Sequence, residues 1–355
     1  MQRAAFKVAL TAIAVAAAFA STAHAAGFML TEQSAGSLGR AYAGAGVDGT
    51  DLSGVYYNPA TMVLHKGTAF QAGFVGIGLN LDYVGEDANG NEVTANGRNK
   101  SQAIPHGYFV HQINDKVWFG LGMTVPFGMG TEYDDDWAGN QHGISATILT
   151  FDLNPNFAFK LSEKFSVGVG ASIQYAAADL KIRKNITGDA NKVLAVIGSQ
   201  SQAKDASVRS EIDADSIAWG WNIGMMWSPL ENLRFGVSYR SKIQHDAEGD
   251  LTIDQLSATS TEGADLSQIL GGALSQIRAY GDMDGSASVT APAWAMASVA
   301  WDVNDLVSLY GTFRWTDWSS FDELKIDGNE ILEAFIREIV ADTQLSLDSY
   351  VRRHP

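Results

Sequence analysis

Along much of the chain, apolar and polar positions alternate with a period of two. From Phe165 the odd positions are Phe165, Val167, Val169, Ala171, Ile173 and Tyr175, and the even ones are Ser166, Gly168, Gly170, Ser172 and Gln174. Ile217, Trp219, Trp221, Ile223, Met225 and Trp227 alternate in the same way with Ser216, Ala218, Gly220, Asn222 and Gly224. Leu149 to Lys160 and Val307 to Trp315 repeat the pattern. This is the signature of strands with one apolar and one polar face. A soluble sandwich shows it too. Here, however, the polar face is built of Gly, Ser, Asn and Thr, which suits a wet or plugged lumen, and aromatic residues gather near strand ends, as at two membrane interfaces.

The pattern predicts nine strands, at about 68–84, 102–113, 117–127, 144–161, 165–183, 214–228, 233–253, 286–302 and 306–326. Their connections alternate between short and long. The short ones are Asn114-Asp115-Lys116, Ser162-Glu163-Lys164, Pro229-Leu230-Glu231-Asn232 and Val303-Asn304-Asp305, and the long ones run near 85–101, 128–143, 184–213 and 254–285. Tight periplasmic turns opposite long extracellular loops are a feature of outer-membrane barrels, and a sandwich has no reason to keep that asymmetry. The fold class read from the sequence is therefore all-β, a transmembrane antiparallel β-barrel in the outer membrane of a Gram-negative bacterium. Barrels of this kind have an even strand number. Nine strands, followed by a tail in which Ile331, Leu332, Phe335, Ile336, Ile339 and Val340 keep helical spacing, lead to the expectation of a truncated, frameshifted or partial sequence.

Composition narrows the function classes. The chain has 355 residues, a net charge of -16 and no cysteine. An acidic chain repels nucleic-acid phosphates, and without cysteine there is no disulfide scaffold or thiolate chemistry. Arg3 and Lys7, the uncharged run Val8 to Ala20, and Ala23-His24-Ala25 read as a signal peptide over residues 1–25. Residues 26–66 lack barrel alternation and are rich in Gly, Ala and Ser. They must either hang in the periplasm or fold into the lumen, where small residues pack closely, and they precede a barrel over 67–328 and an atypical tail over 329–355.

At this point the sequence resembles the FadL/TodX (OmpP1) family of outer-membrane transporters of long-chain fatty acids and other hydrophobic compounds. The matching residues are Ala26-Gly27-Phe28, Leu38-Gly39-Arg40-Ala41-Tyr42, Asn58-Pro59-Ala60, Pro126-Phe127-Gly128 with Thr131-Glu132-Tyr133, Trp219-Gly220-Trp221-Asn222, Tyr239-Arg240-Ser241 and Trp315-Thr316-Asp317-Trp318-Ser319. They occur in order from residue 26 to about 328, and together they are far more specific than any one of them. The resemblance implies a barrel of fourteen strands with an N-terminal hatch, so about five strands would lie beyond this chain. It also implies passive transport, in which a ligand moves the hatch and leaves sideways through the barrel wall.

The resemblance supplies the candidate sites. Phe28, Asn58, Pro59 and Ala60 fall to the hatch. Pro126, Phe127 and Gly128, where proline removes a ladder donor and glycine permits a bend, fall to a lateral opening. A fatty carboxylate in an apolar pocket needs a cation, and Lys181, Arg183 and Lys184 are the candidates, with a solvated or lipopolysaccharide-facing cluster as the other reading. Val193 to Ile197 and Leu266 to Leu274 read as loop helices forming an apolar landing groove, or as loop core. Asp134-Asp135-Asp136 with Glu132 lacks the glycine and terminal glutamate of a calcium loop and reads as an acidic surface. No cofactor or metal is expected. The expected partners are a hydrophobic ligand, outer-membrane lipid and lipopolysaccharide, and the barrel-assembly machinery, with the protein a monomer. A porin for hydrophilic solutes is the main alternative. A lipid-modifying enzyme is a lesser one, since no G-x-S-x-G is present and His106 and His111 lie on a weakly patterned strand.

Overall fold

The computed structural model describes residues 28–86, 90–98, 101–196, 199–271, 283–320 and 325–327. The expected signal peptide and the tail from 329 lie outside these residues. In chain order the strands are β1 (Thr68–Gly78), β2 (Asp82–Glu86), β3 (Glu92–Asn96), β4 (Ser101–Asn114), β5 (Val117–Thr124), β6 (Gly128–Glu132), β7 (Ser145–Ser162) and β8 (Phe165–Asn185). They continue with β9 (Ala203–Leu230), β10 (Leu233–Arg240), β11 (Ile243–Ser260), β12 (Met283–Ala291), β13 (Trp294–Asn304), β14 (Val307–Thr316) and β15 (Lys325–Asp327). The main sheet runs β1-β4-β5-β7-β8-β9-β10-β13-β14. Its paired neighbours are antiparallel throughout.

That path has one position for each of the nine strands expected, but four of them are interrupted. The third is β5 and β6, broken at Val125–Phe127; the seventh is β10 and β11, broken at Ser241–Lys242. The eighth is β12 and β13, broken at Pro292–Ala293, and the ninth is β14 and β15. Proline explains two of these breaks, since it has no N–H for the ladder. The first strand is also shorter than expected. It ends at Gly78, and Asp82–Glu86 instead pairs with Glu92–Asn96 in a separate two-stranded hairpin. The loop expected at 184–213 shrinks because β8 and β9 stay paired up to Asn185 and Ser207. Among the described residues the two ends of the path, β1 and β14, are not paired with each other.

The short turns form where the side chain can hold them. Asn114 Oδ1 accepts the Lys116 N–H at 2.9 Å, and Asn304 Oδ1 accepts those of Leu306 and Val307, each at 2.9 Å. Such Asx turns reverse the chain within a few residues. On the strands the two faces separate as the alternation requires. Trp219 is 68% exposed and Ile217 65%, whereas Ser172 is fully buried and Gln174 nearly so. A broad band of exposed apolar side chains on a protein is a surface for lipid.

The other face packs on the hatch, which contains the short helices α1 (Ala35–Leu38) and α2 (Gly54–Tyr57) and a 3₁₀ turn over Pro59–Leu64. Tyr42, Tyr56, Tyr57 and Met62 of the hatch form one buried cluster with Tyr108, Trp118, Trp294 and Met296 of the wall. The small lumen-facing residues make this docking possible. A Cβ on Gly168 would lie 2.6 Å from the Ala60 nitrogen, and one on Gly224 would collide with Asn58 Oδ1.

Candidate functional site

Phe28, the first described residue, is 5% exposed. It clusters with Phe127, Ile243, Val289 and Ala291, with Trp318 packed beside them. Its ring lies 5.5 Å from that of Phe127 and 5.8 Å from that of Trp318. These residues stand at the four interruptions of the wall. The breaks in four strands thus meet around one hatch side chain.

The backbone beside Phe28 completes the broken ladder. The Gly128 N–H donates to the Phe28 carbonyl, and the Leu30 N–H donates to the Pro126 carbonyl, both at 2.8 Å. Met29 and Phe127 form an isolated antiparallel bridge. One step further along, Gln33 bonds both backbone groups of Val125, with its Nε2 donating at 2.6 Å and its Oε1 accepting at 3.3 Å. Tyr108 Oη donates to the Gln33 carbonyl at 2.6 Å. Pro126, Phe127 and Gly128, singled out from the sequence, are therefore the segment of the wall that bonds to the hatch backbone. Gln33 was not singled out; a lone glutamine in a Gly/Ala/Ser-rich segment carries no pattern.

On the other side of this segment the wall divides. The β4–β5 ladder ends at the pair Gly107–Met123, and among the described residues β6 pairs only with β7. Pro105 sits on the stretch of β4 beyond that pair, which stays paired with β1 through Phe74. A cavity of about 340 Å³ lies between β4 and β6, lined by Phe28, Leu30, Ile104, Gly128 and Leu149 among others. A second, of about 570 Å³, shares Pro105, Val125 and Phe151 with it. Its lining is mostly outward-facing side chains, Phe70, Leu121 and Met123 among them, with Tyr108 and Thr124 of the lumen-facing row beside them.

Asn58, Pro59 and Ala60 anchor the far end of the hatch. Asn58 Nδ2 donates to the Gly46 carbonyl at 2.8 Å and to the Met225 carbonyl at 3.0 Å, and Oδ1 caps the 3₁₀ turn by accepting the Ala60 N–H at 3.1 Å. Next to them, buried Arg240 bonds Asp152 Oδ2 and Ser172 Oγ at 2.6 Å each and Asn154 Oδ1 at 3.0 Å. Its guanidinium lies 4.7 Å from the centre of the Tyr56 ring. Within the hatch, Arg40 pairs with Asp48, which also accepts from Thr50. Burial alone would raise the Asp48 carboxyl, but the bonds from Thr50 and Arg40 hold it below its ordinary value.

The three basic candidates of the fifth strand lie elsewhere. Lys181, Arg183 and Lys184 are at the end of β8, and none of them lines the cavity beside Phe28. Lys181 is 2.7 Å from Glu211 and 3.8 Å from Asp179, inside a carboxylate cluster completed by Asp213. Its charge is already matched. The acidic run is likewise paired: Arg98 meets Glu132 at 3.0 Å and Asp134 at 3.2 Å, and Arg209 meets Asp135 at 3.3 Å. A cation beside the Phe28 segment is Arg314, whose Nη1 is 4.0 Å from the Met29 sulfur and whose guanidinium faces the Tyr57 and Trp294 rings at 5.9 and 5.4 Å. Its signal in the sequence was a lone charge in the small, polar row of its strand.

Of the two expected loop helices, the first is part of a helix, α3 (Thr187–Val196), with Ile197 outside the described residues. Leu266 and Leu270 pack with Ala190 and Leu194 of α3, and residues 272–274 lie outside the described residues.

A family model described as "Outer membrane protein transport protein (OMPP1/FadL/TodX)" matches residues 16–344. A long-chain fatty acid transport protein of Escherichia coli O6:H1 is 30% identical over 341 residues, covering 92% of this chain and 74% of the relative. Outer membrane protein P1 of Haemophilus influenzae is 28% identical over 348 residues, covering 90% and 72%. Among solved structures, a Pseudomonas aeruginosa FadL homologue superposes with a TM-score of 0.70 at 24% identity, covering 85% of this chain and 72% of that one. The Pseudomonas putida toluene transporter TodX does so with a TM-score of 0.53 at 17% identity, covering 78% and 68%.

Proposed function

This chain belongs to the OMPP1/FadL/TodX family of outer-membrane transport proteins, and we propose that it carries long-chain fatty acids or related hydrophobic molecules passively across the outer leaflet. The hatch segment Phe28–Leu30 yields to the ligand, and the ligand leaves sideways between β4 and β6. One observation carries this reading: the wall is unpaired between those strands, and the residues bordering the gap are held by backbone bonds to the hatch. A solute with an apolar tail gains nothing from an aqueous lumen, whereas a gap in the wall leads it directly into lipid. Hydrophobic substrates are what the names of the relatives give for those proteins.

Head-group recognition on this reading falls to Arg314, which has no carboxylate partner among the described residues. Lys181, already matched by Glu211 and Asp179, is the weaker choice. The protein acts as a monomer, delivered by the barrel-assembly machinery into a leaflet of lipopolysaccharide.

The chain has no cysteine, so a cysteine pair at bridge partners Met29 and Phe127 forms a single defined lock. Radiolabelled oleate uptake is measured in cells that lack their own transporter. Uptake is expected to fall when the pair is oxidised and to return on reduction. Equal uptake in both states would remove the hatch from the mechanism, and sugar-driven liposome swelling would instead support a porin for hydrophilic solutes.

A further inference from the structure

The gap between β4 and β6 has a counterpart elsewhere in the wall. β9 pairs with β10 from Asn222 onwards and with β11 up to Asp215. Among the described residues, no cross-strand partner on either of these strands is found for Ser216 to Trp221. On its other side β9 pairs with β8 at every one of these residues. A β-bulge displaces one residue, whereas here the ladder lapses over a whole stretch of strand. The seventh and eighth strands break together. The β10–β13 ladder ends at Arg240–Trp294 and the β11–β12 ladder resumes at Ile243–Ala291, so the two strands part from β9 as a unit.

Unpaired backbone at the level of lipid persists only where protein covers it, and side chains cover it here. Ser241 closes one end: its N–H donates to the Trp221 carbonyl and its Oγ accepts the Trp221 N–H, both at 2.9 Å. Buried Ile243 lies over Gly220, where a Cβ would sit 2.7 Å from Ile243 Cδ1. Buried His245 reaches two strands, with Nδ1 2.8 Å from Ser216 Oγ of β9 and Nε2 3.0 Å from Gln174 Oε1 of β8. Side-chain bonds thus stand where ladder bonds are missing. Ile243 ties this seam to the hatch, since it packs in one cluster with Phe28, with Ala218 of β9 beside them. The outer lips of the seam differ. Ile217 and Trp219 are exposed on β9, and Lys242, Gln244 and Asp246 are exposed opposite them.

We propose that Phe28 guards two lateral exits, the second being the seam between β9 and β11, which admits a hydrophobic amphiphile when Phe28 leaves Ile243. The apolar tail lies along Ile217 and Trp219, and the polar head along Lys242 and Gln244. The proposal rests on the lateral-exit reading above and adds a second passage to it.

The chain has no cysteine, so Ser216→Cys with His245→Cys, joined by a short bis-methanethiosulfonate linker, closes the seam and reopens it on reduction. Closing and reopening are compared within one preparation, so any misfolded fraction cancels. Oleate uptake is measured in cells carrying this pair together with Gly128→Trp, which fills the gap between β4 and β6. Gly128→Trp alone is expected to leave residual uptake, and the linked pair to abolish it until the linker is reduced. No residual uptake with Gly128→Trp, or residual uptake that the linker does not change, would overturn the second exit and leave the first standing. Uptake at the wild-type level with both routes closed would overturn lateral exit altogether. A second measurement uses the chain carrying only Met29→Cys and Phe127→Cys. A fatty acid with a diazirine in its tail is expected to label Ile243 and Ala218 when that pair is reduced, and to spare them when it is oxidised. Equal labelling in both states would overturn control of the seam by the hatch.

Discussion

Gln33 and Val125 form a two-way hydrogen-bonded pair, in which the glutamine amide donates to the Val125 carbonyl at 2.6 Å and accepts its N–H at 3.3 Å. The side chain thereby stands in for a neighbouring strand at the point where β5 gives out. Both residues are buried, at 0% and 1% exposure, so neither backbone group can turn to water instead. Replacing Gln33 by Leu leaves the donor and acceptor of Val125 unmatched, at a cost of about 1–3 kcal/mol each. Amide hydrogen exchange is expected to speed up at Leu30 and Gly128, with the strands β8 and β9 unchanged. Equal protection at Leu30 in both proteins would show that the glutamine does not hold the hatch.

Gly128 begins β6 beside the hatch. A Cβ there would lie 2.9 Å from Leu30 Cδ1 and 3.5 Å from Leu149 Cδ1. Alanine is tolerated if Leu30 shifts, but a leucine or tryptophan fills the space between β4 and β6. Such a substitution is expected to lower oleate uptake severalfold while the protein still reaches the cell surface. Unchanged uptake at normal surface level would reject a part for this position in the exit route.

These two residues mark the limit of what the sequence discloses. Strand positions, short turns and the two faces are legible because alternation and turn chemistry are local, as Ser172 and Trp219 on opposite faces show. Pro126 and Gly128 also announce a break locally. The break at Ser241–Lys242 does not, because no proline or glycine stands there. It becomes intelligible only in three dimensions, where Ile243 turns to pack with Phe28. The basic candidates were drawn from a conspicuous local cluster, but Lys181 answers to Glu211 on the next strand, a pairing invisible without register. Arg314 was inconspicuous for the opposite reason: its partners come from the hatch and from β13.

The docking of the hatch rests on Gly224 and Asn58. A Cβ at Gly224 would overlap Asn58 Oδ1 and lie 3.0 Å from Pro59 Cδ. Gly224→Ala is therefore expected to displace the Asn58-Pro59-Ala60 turn. Overpacking of this kind costs about 1–3 kcal/mol, and loss of the cap by Asn58→Ala about 0.5–2 kcal/mol. Both variants should admit small hydrophilic antibiotics that the wild type excludes, with Gly224→Ala the leakier. A barrier as tight as wild type in both would place the hatch's hold elsewhere.

The Asp48 carboxyl adds a pH dependence. Its folded value lies below the ordinary one, because the bonds from Thr50 and Arg40 outweigh burial. The stability it contributes is therefore fully present above the unfolded value of about 3.9 and is lost as pH falls through the lower folded value. Hatch protection against proteolysis is expected to be flat from about pH 5 to 8 and to weaken below about pH 4. Asp48→Asn should lack this acid step and be weaker throughout the neutral range. An identical acid step in that variant would assign it to another group.

Arg314 and Lys181 offer rival answers to how a fatty carboxylate is held. Arg314 lies over the Tyr57 and Trp294 rings beside Met29, one residue from Phe28. Lys181 is bonded to Glu211 at 2.7 Å and does not line the cavity there. A ligand carboxylate bound at Arg314 gains a charge-assisted bond without breaking an existing ion pair, whereas at Lys181 it must compete with two carboxylates. Arg314→Gln is therefore expected to weaken oleate binding about tenfold or more, since bonds to charged groups are worth about 1.5–3 kcal/mol. Methyl oleate, which has no charge to lose, should bind both proteins alike. Lys181→Gln should leave oleate binding within about twofold, because an exposed or half-exposed pair contributes about 1 kcal/mol or less. Displacement of a fluorescent fatty acid by the two competitors measures all of this on purified protein. If Lys181→Gln loses oleate selectively and Arg314→Gln does not, the head-group site returns to the end of β8, and the ligand must lie higher in the lumen than Phe28.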